Sequence, residues 1–121
     1  MIKIIDENDE FFWTYQDGTD TPPVFTLRRL SEKKRRELTR EYTKKIYENG
    51  MLIEKIDEDG LHKALVEYII KDWENICDKN GEPVKPTKET KWELPIVVMT
   101  QILLISQRPP VLDPADDKKK I

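Results

Sequence analysis

The chain has few of the residues that catalysis, metal binding and covalent cross-linking need. Its 121 residues include one cysteine, one histidine and four glycines. Because Cys77 stands alone, no internal disulfide can form, and without a visible signal peptide this predicts a protein of the reducing cytoplasm. No Gly-x-Gly sequence occurs, so neither a dinucleotide nor a phosphate-loop motif can be assigned. We therefore expect no catalytic residue, no metal ion and no cofactor.

The chain also lacks an apolar run long enough to cross a membrane. The longest run, residues 94–105, has about a dozen residues and is interrupted by Thr100 and Gln101. A membrane span needs roughly 20 consecutive apolar residues. The run therefore predicts a buried helix, and we expect no membrane partner.

What the chain does contain is a balanced mixture of charged and apolar residues. Each class makes up 37% of the sequence, and the net charge is −3. This composition is typical of a folded domain rather than a disordered chain. We expect a single α+β domain over residues 1–107 and a flexible C-terminal tail over residues 108–121, where prolines precede runs of Asp and Lys.

Three segments in the first thirty residues have the composition and alternation of β-strands. They are residues 1–5, 10–15 and 24–30, with polar or proline-containing connections between them. Together they predict an N-terminal three-stranded antiparallel sheet, which is stable only if its apolar face is covered. The edges of such an open sheet also allow self-association, so a homo-oligomer is one option.

The first of three expected helices follows this sheet. Ser31 is a suitable N-cap, and the helix is expected to continue to about residue 48 on a narrow apolar stripe of Leu38, Tyr42 and Ile46. Asn49 and Gly50 would then end it. Residues 51–56 fit either a short extended piece or a loop.

The other two helices carry most of the apolar residues. The second is expected over about residues 61–75, where only Asp72 breaks the apolar spacing. Thr87 can cap the third, and Pro95 either interrupts it or restarts it. Because apolar residues surround the last helix almost completely, it should be central and buried.

Two sets of polar residues deserve consideration as metal sites. His62 follows three acidic residues, but a single His with no nearby Cys or second His is typical of an ordinary surface position. The second set has the spacing of calcium-loop ligands at Asp78, Asn80, Glu82 and Glu89. The loop position that requires glycine is Pro83, so we do not expect calcium binding.

A positive segment lies between residues 28 and 45, with nine Lys or Arg residues against three Glu. It predicts one of two things. One is a small nucleic-acid-binding or regulatory module that uses Arg35, Arg36 and Arg40. The other is a solvated helix face with ion pairs four residues apart, such as Glu32–Arg36.

Two stretches of sequence carry a family resemblance. The first is FTLRRLSEKK at residues 25–34, and the second is IIKDWENICDKNGEPV at residues 69–84, followed by Thr87 and the apolar run. Over residues 24–106 the chain resembles the tail assembly chaperone-like proteins of long-tailed bacteriophages and prophages. The resemblance implies a non-catalytic protein of the host bacterial cytoplasm that binds the long, apolar, helical tape-measure protein and delivers tube subunits.

A chaperone of this kind must cover apolar helical surface that would otherwise aggregate. Aromatic residues that would provide such contacts if exposed are Trp13, Tyr15 and Trp92, and the alternative is that all three belong to the core. The leading hypothesis is thus a tail assembly chaperone or adaptor, with Trp13, Tyr15, Trp92, Arg35, Arg36 and Arg40 as candidate partner-binding residues.

Overall fold

The computed structural model describes residues 9–108. The strands are β1 (Glu10–Thr14), β2 (Val24–Arg28), β3 (Thr43–Glu48), β4 (Met51–Ile56) and β5 (Ile70–Glu74). The helices are α1 (Glu32–Glu41), α2 (Glu58–Ile69), α3 (Lys88–Trp92) and α4 (Ile96–Ser106). The α+β class predicted from the sequence is confirmed. The expected strand at residues 1–5 and nearly all of the expected tail lie outside the described residues, and the domain boundary at 107 stays a prediction.

A three-stranded antiparallel sheet in the order β1-β2-β5 forms one wall of the core. The predicted strands at 10–15 and 24–30 correspond to β1 and β2, which pair with Trp13 opposite Phe25. The third strand of this sheet, β5, was missed, because residues 70–74 were expected at the end of the second helix. That expectation is wrong: α2 ends at Ile69 and the chain enters β5 without a turn.

A β-bulge explains why β5 resembles a helix in the sequence. Ile70 and Trp73 are three residues apart, and this odd spacing places side chains on opposite faces of a regular strand. The pairing of β2 with β5 shifts register between Thr26 and Leu27. The extra residue allows both Ile70 and Trp73 to be buried on the core face. The helix-like spacing of apolar residues in this segment is therefore explained by a strand that contains a bulge.

The first predicted helix is correct at its start and wrong in its second half. The Ser31 side chain accepts a hydrogen bond from the Lys34 amide, as expected for an N-cap. The helix ends at Glu41, and residues 43–48 form β3, which pairs with β4 in a separate two-stranded sheet. Asn49 and Gly50, with φ of 52° and 75°, form the tight turn of this hairpin rather than a helix end.

The third predicted helix is divided at Pro95 into α3 and α4. Thr87 caps α3 through a reciprocal capping box with Thr90. The last helix is central on one side only. Val98, Met99 and Ile102 face the core, whereas Ile96 and Leu104 are 74% and 60% exposed. The expectation that this helix is buried on all sides is therefore wrong for its outer side.

The core lies between the sheet, α2 and α4. It is formed by apolar side chains from these elements and the segments that flank them, namely Phe25, Leu27, Leu30, Val66, Ile69, Ile70, Trp73, Leu94, Val98, Met99 and Ile102. The end of α4 is fixed by a hydrogen bond of 2.8 Å from the Leu30 amide to the Ser106 carbonyl. One face of α4 is thereby held against the sheet, and its other face is left uncovered by the described residues.

Two alanine substitutions on α4 distinguish its buried face from its exposed face. Ile102→Ala should lower the free energy of unfolding by about 2–5 kcal/mol, because it leaves a cavity at a fully buried site. Leu104→Ala removes an exposed side chain and should change it by roughly 0.5 kcal/mol or less. Urea denaturation followed by tryptophan fluorescence measures both. Equal losses at the two positions would contradict the described orientation of the helix.

Candidate partner-binding surfaces

The first candidate surface is the outer face of α4, defined here as Ile96, Val97, Thr100, Gln101 and Leu104. Ile96, Thr100 and Leu104 follow one another at intervals of four residues, as do Val97 and Gln101, so all five lie on one side of the helix. All five are exposed, and three of them are large apolar residues. An apolar helix face of this kind is suited to pack against another helix.

Trp13 lies beside this face. A cleft of about 280 Å³ is lined by Trp13, Gln101, Leu104, Ile105 and Arg108. The Trp13 ring is half-buried, with its centroid 5.7 Å from that of Phe25 and 5.9 Å from that of Tyr15. Its inner edge therefore belongs to the packing of the sheet, while its exposed part borders the outer face of α4.

The other two predicted aromatic contacts lie in different surroundings. Tyr15 is half-buried against Trp13, and its amide donates to the Pro23 carbonyl at 2.9 Å. Trp92 is half-buried at the end of α3, where the His62 ring meets it edge-on at 5.0 Å and the Lys63 ammonium lies 5.2 Å from its ring. The structure thus brings Trp13 and Tyr15 together and places Trp92 with α2.

The second candidate surface is a basic cleft between α1 and the hairpin. It encloses about 460 Å³ and is lined by Arg35, Arg36, Thr39, Arg40, Thr43, Lys45 and Glu54. All three arginines predicted from the sequence line this cleft. Lys45 and Glu54 were missed because residues 43–56 were not recognised as a hairpin. The signal for that hairpin was Asn49-Gly50 between two runs that contain β-branched and aromatic residues.

Glu32 partly neutralises the basic cleft. Its carboxylate accepts hydrogen bonds from Arg35 Nε at 2.8 Å and from Arg36 Nε at 3.1 Å, so the expected Glu32–Arg36 pair is confirmed. The hydrogen bonds from Arg35 are the main reason that the pKa of Glu32 is lowered from 4.5 to about 2, and they raise the pKa of Arg35. Arg40 and Lys45 form no ion pair with other described residues and are the cations most available to a ligand.

Two of the residues considered as metal ligands, Asp78 and His62, make contacts within the fold. The Asp78 carboxylate accepts from the Asn80 and Glu82 amides at 2.8 and 3.0 Å and so stabilises the turn that contains Gly81. The His62 ring packs perpendicular to the Trp92 ring. Within residues 9–108 no three His, Cys, Asp or Glu side chains are grouped closely enough to hold a metal ion. The single cysteine, Cys77, is exposed.

The pH dependence of the Glu32 contacts follows from the lowered pKa. A carboxylate with a depressed folded-state pKa stabilises the fold above its unfolded value of 4.5, and this contribution is lost as the pH falls through about 2. A carboxyl ¹³C NMR titration should therefore find the Glu32 midpoint near 2. Arg35→Gln should raise that midpoint more than Arg36→Gln, because Arg35 supplies the larger effect. A midpoint near 4.5 in the unaltered protein would contradict the described hydrogen bonds.

Comparison with known proteins adds an identity at the family level. No curated protein and no solved structure matches the chain. In the part of the chain that the structure describes, no helix is long and apolar enough to cross a membrane. A family model described as YdaY prophage protein matches residues 27–95, which is more than half of the chain and runs from the second half of β2 to the residue before α4. The chain therefore belongs to the YdaY prophage protein family.

Proposed function

We propose that this prophage protein is a non-enzymatic assembly chaperone or adaptor for phage tail proteins, and that it binds an apolar helical segment of the tape-measure protein. The observation that carries the proposal is the outer face of α4, where Ile96, Val97 and Leu104 are more than half exposed. Soluble proteins that have no binding partner rarely expose a row of apolar side chains along one side of a helix. The choice of a tail protein as partner rests on the sequence resemblance over residues 24–106.

The geometry of the surface fits a helical partner. Ile96, Thr100 and Leu104 form one ridge along α4, and Val97 and Gln101 form the neighbouring one. A second helix with apolar residues three and four positions apart can pack into the groove between such ridges. The cleft beside Trp13 extends this surface and gives a larger partner side chain a place to enter. No covalent chemistry is required of any residue in this mode of action.

The test is co-expression with the tape-measure protein encoded in the same prophage. We expect the two proteins to co-purify and the tape-measure protein to stay in the soluble fraction. Leu104→Lys should abolish both effects, because it places a charge where the outer face of α4 meets the cleft beside Trp13. Leu52→Lys is the matched control, since Leu52 is similarly exposed at 54% but lies on β4.

Three results would overturn the proposal. The first is a prophage that encodes neither a tube protein nor a very long helical protein. The second is failure of the two proteins to associate. The third is equal loss of association with Leu52→Lys and Leu104→Lys, because the outer face of α4 would then have no special role.

The basic cleft supports a second candidate function, a nucleic-acid-binding or regulatory module. Four cationic side chains from two elements line one cleft, and such a cleft attracts phosphate groups. A gel shift with mixed DNA or RNA at low salt is the direct test. Charge reversal at Arg35, Arg36 and Arg40 should abolish the shift, whereas Lys88→Glu on α3 should not. No shift at low salt with the unaltered protein removes this candidate.

A further inference from the structure

The β3–β4 hairpin is a sheet without a third strand. Its six residue pairs run from Thr43 opposite Ile56 to Glu48 opposite Met51. A two-stranded hairpin in isolation is at best marginally stable in water. Tyr47 and Met51 near its tip are 80% and 69% exposed. The hairpin would therefore gain stability from a complementary strand added to its edge.

The turn determines which backbone groups of β3 are free for such a strand. In a hairpin with a two-residue turn, the residues next to the turn exchange backbone hydrogen bonds, and the ladder alternates from there. Since Glu48 and Met51 are that pair, the amide and carbonyl groups of Ile46 and Lys44 also point to β4. The groups of Lys45 and Tyr47 point away, to an edge where the described chain provides no strand.

We propose that this edge of β3 pairs with the same edge of a second copy of the chain, antiparallel about a two-fold axis at Ile46. The two hairpins then form one continuous four-stranded sheet. Lys45 exchanges backbone hydrogen bonds with Tyr47 of the second copy, Ile46 lies opposite its own equivalent, and Lys44 lies opposite Glu48. This interface does not involve the outer face of α4, so it is independent of the proposed function.

Charge complementarity selects this register over its neighbours. A shift by two residues in one direction places Lys45 opposite Lys45, and the opposite shift leaves Lys44 without a counter-charge. Pairing through β4 is less favourable: centred on Ile53 it makes no ion pair, and the next register places Glu54 opposite Glu54. Opposite charges in directly facing positions stabilise a strand pair, and like charges destabilise it.

Lys44 supplies a further argument for the same register. Within its own hairpin Lys44 lies opposite Lys55, which is a pair of like charges. Glu48 is 3.8 Å from Lys55 in an exposed ion pair on the same hairpin. In the dimer, Glu48 of the second copy lies opposite Lys44 and compensates the unfavourable pair.

A charge-swap experiment tests the register. Sedimentation equilibrium should show a monomer–dimer equilibrium that weakens at high salt. Lys44→Glu should weaken it by roughly tenfold or more, because attraction becomes repulsion at two symmetric positions. This change does not weaken the hairpin, since a carboxylate then faces Lys55. Glu48→Lys should weaken the dimer similarly, and the double variant K44E/E48K should restore it.

A cross-linking experiment tests the two-fold axis. Facing residues that exchange no backbone hydrogen bonds have Cα atoms about 4.5 Å apart, within the range of a disulfide. In a Cys77→Ser background, Ile46→Cys should form an intermolecular disulfide under mild oxidation. Ile53→Cys, on the same face of the hairpin but on β4, should not. A protein that stays monomeric, a double variant without rescue, or equal cross-linking at Ile53 overturns the proposal.

Discussion

The fold depends on how Trp73 is held in the centre of the molecule. Its ring meets Phe25 edge-on at 6.2 Å, and its indole N–H donates to the Val84 carbonyl at 2.6 Å. The ring thus connects two strands of the sheet, and the N–H ties down the connection that leads to α3. A buried indole needs a partner for its one donor, so the position of that connection is coupled to the packing of the sheet. Leu94 and α4 pack against the same cluster.

The residues that form the core and the residues that form the candidate binding surfaces lie in different parts of the molecule. The three-stranded sheet, α2 and one face of α4 share a single core, whereas the hairpin lies outside that core and pairs with itself. Basic residues gather between α1 and the hairpin, and apolar residues remain exposed on α4. Both surfaces are suited to contacts with other molecules, and the two functions proposed for this prophage protein rest on them.

The two wrong predictions about secondary structure share one physical cause. Apolar spacing of three and four residues was interpreted as helical around Ile46 and Trp73, and both segments are strands. At Trp73 a bulge converts an odd spacing into two buried positions. The one contrary signal was Asp72, which is exposed on β5 and whose carboxylate accepts from the Trp73 amide at 2.8 Å. Around Ile46 the stripe was only one residue wide, too narrow to bury a helix.

The sequence by itself determined the features that depend on neighbouring residues. The caps at Ser31 and Thr87 and the break at Pro95 follow from local hydrogen bonding and backbone restrictions. The strands β1 and β2 follow from the alternation of β-forming residues. Family membership also resides in the sequence.

Only the tertiary structure decided which strand completes the sheet, which side of α4 is covered, and that Arg40 and Lys45 share a cleft. These outcomes depend on contacts between residues far apart in the chain, and side-chain spacing within one segment does not specify the surface that will cover it.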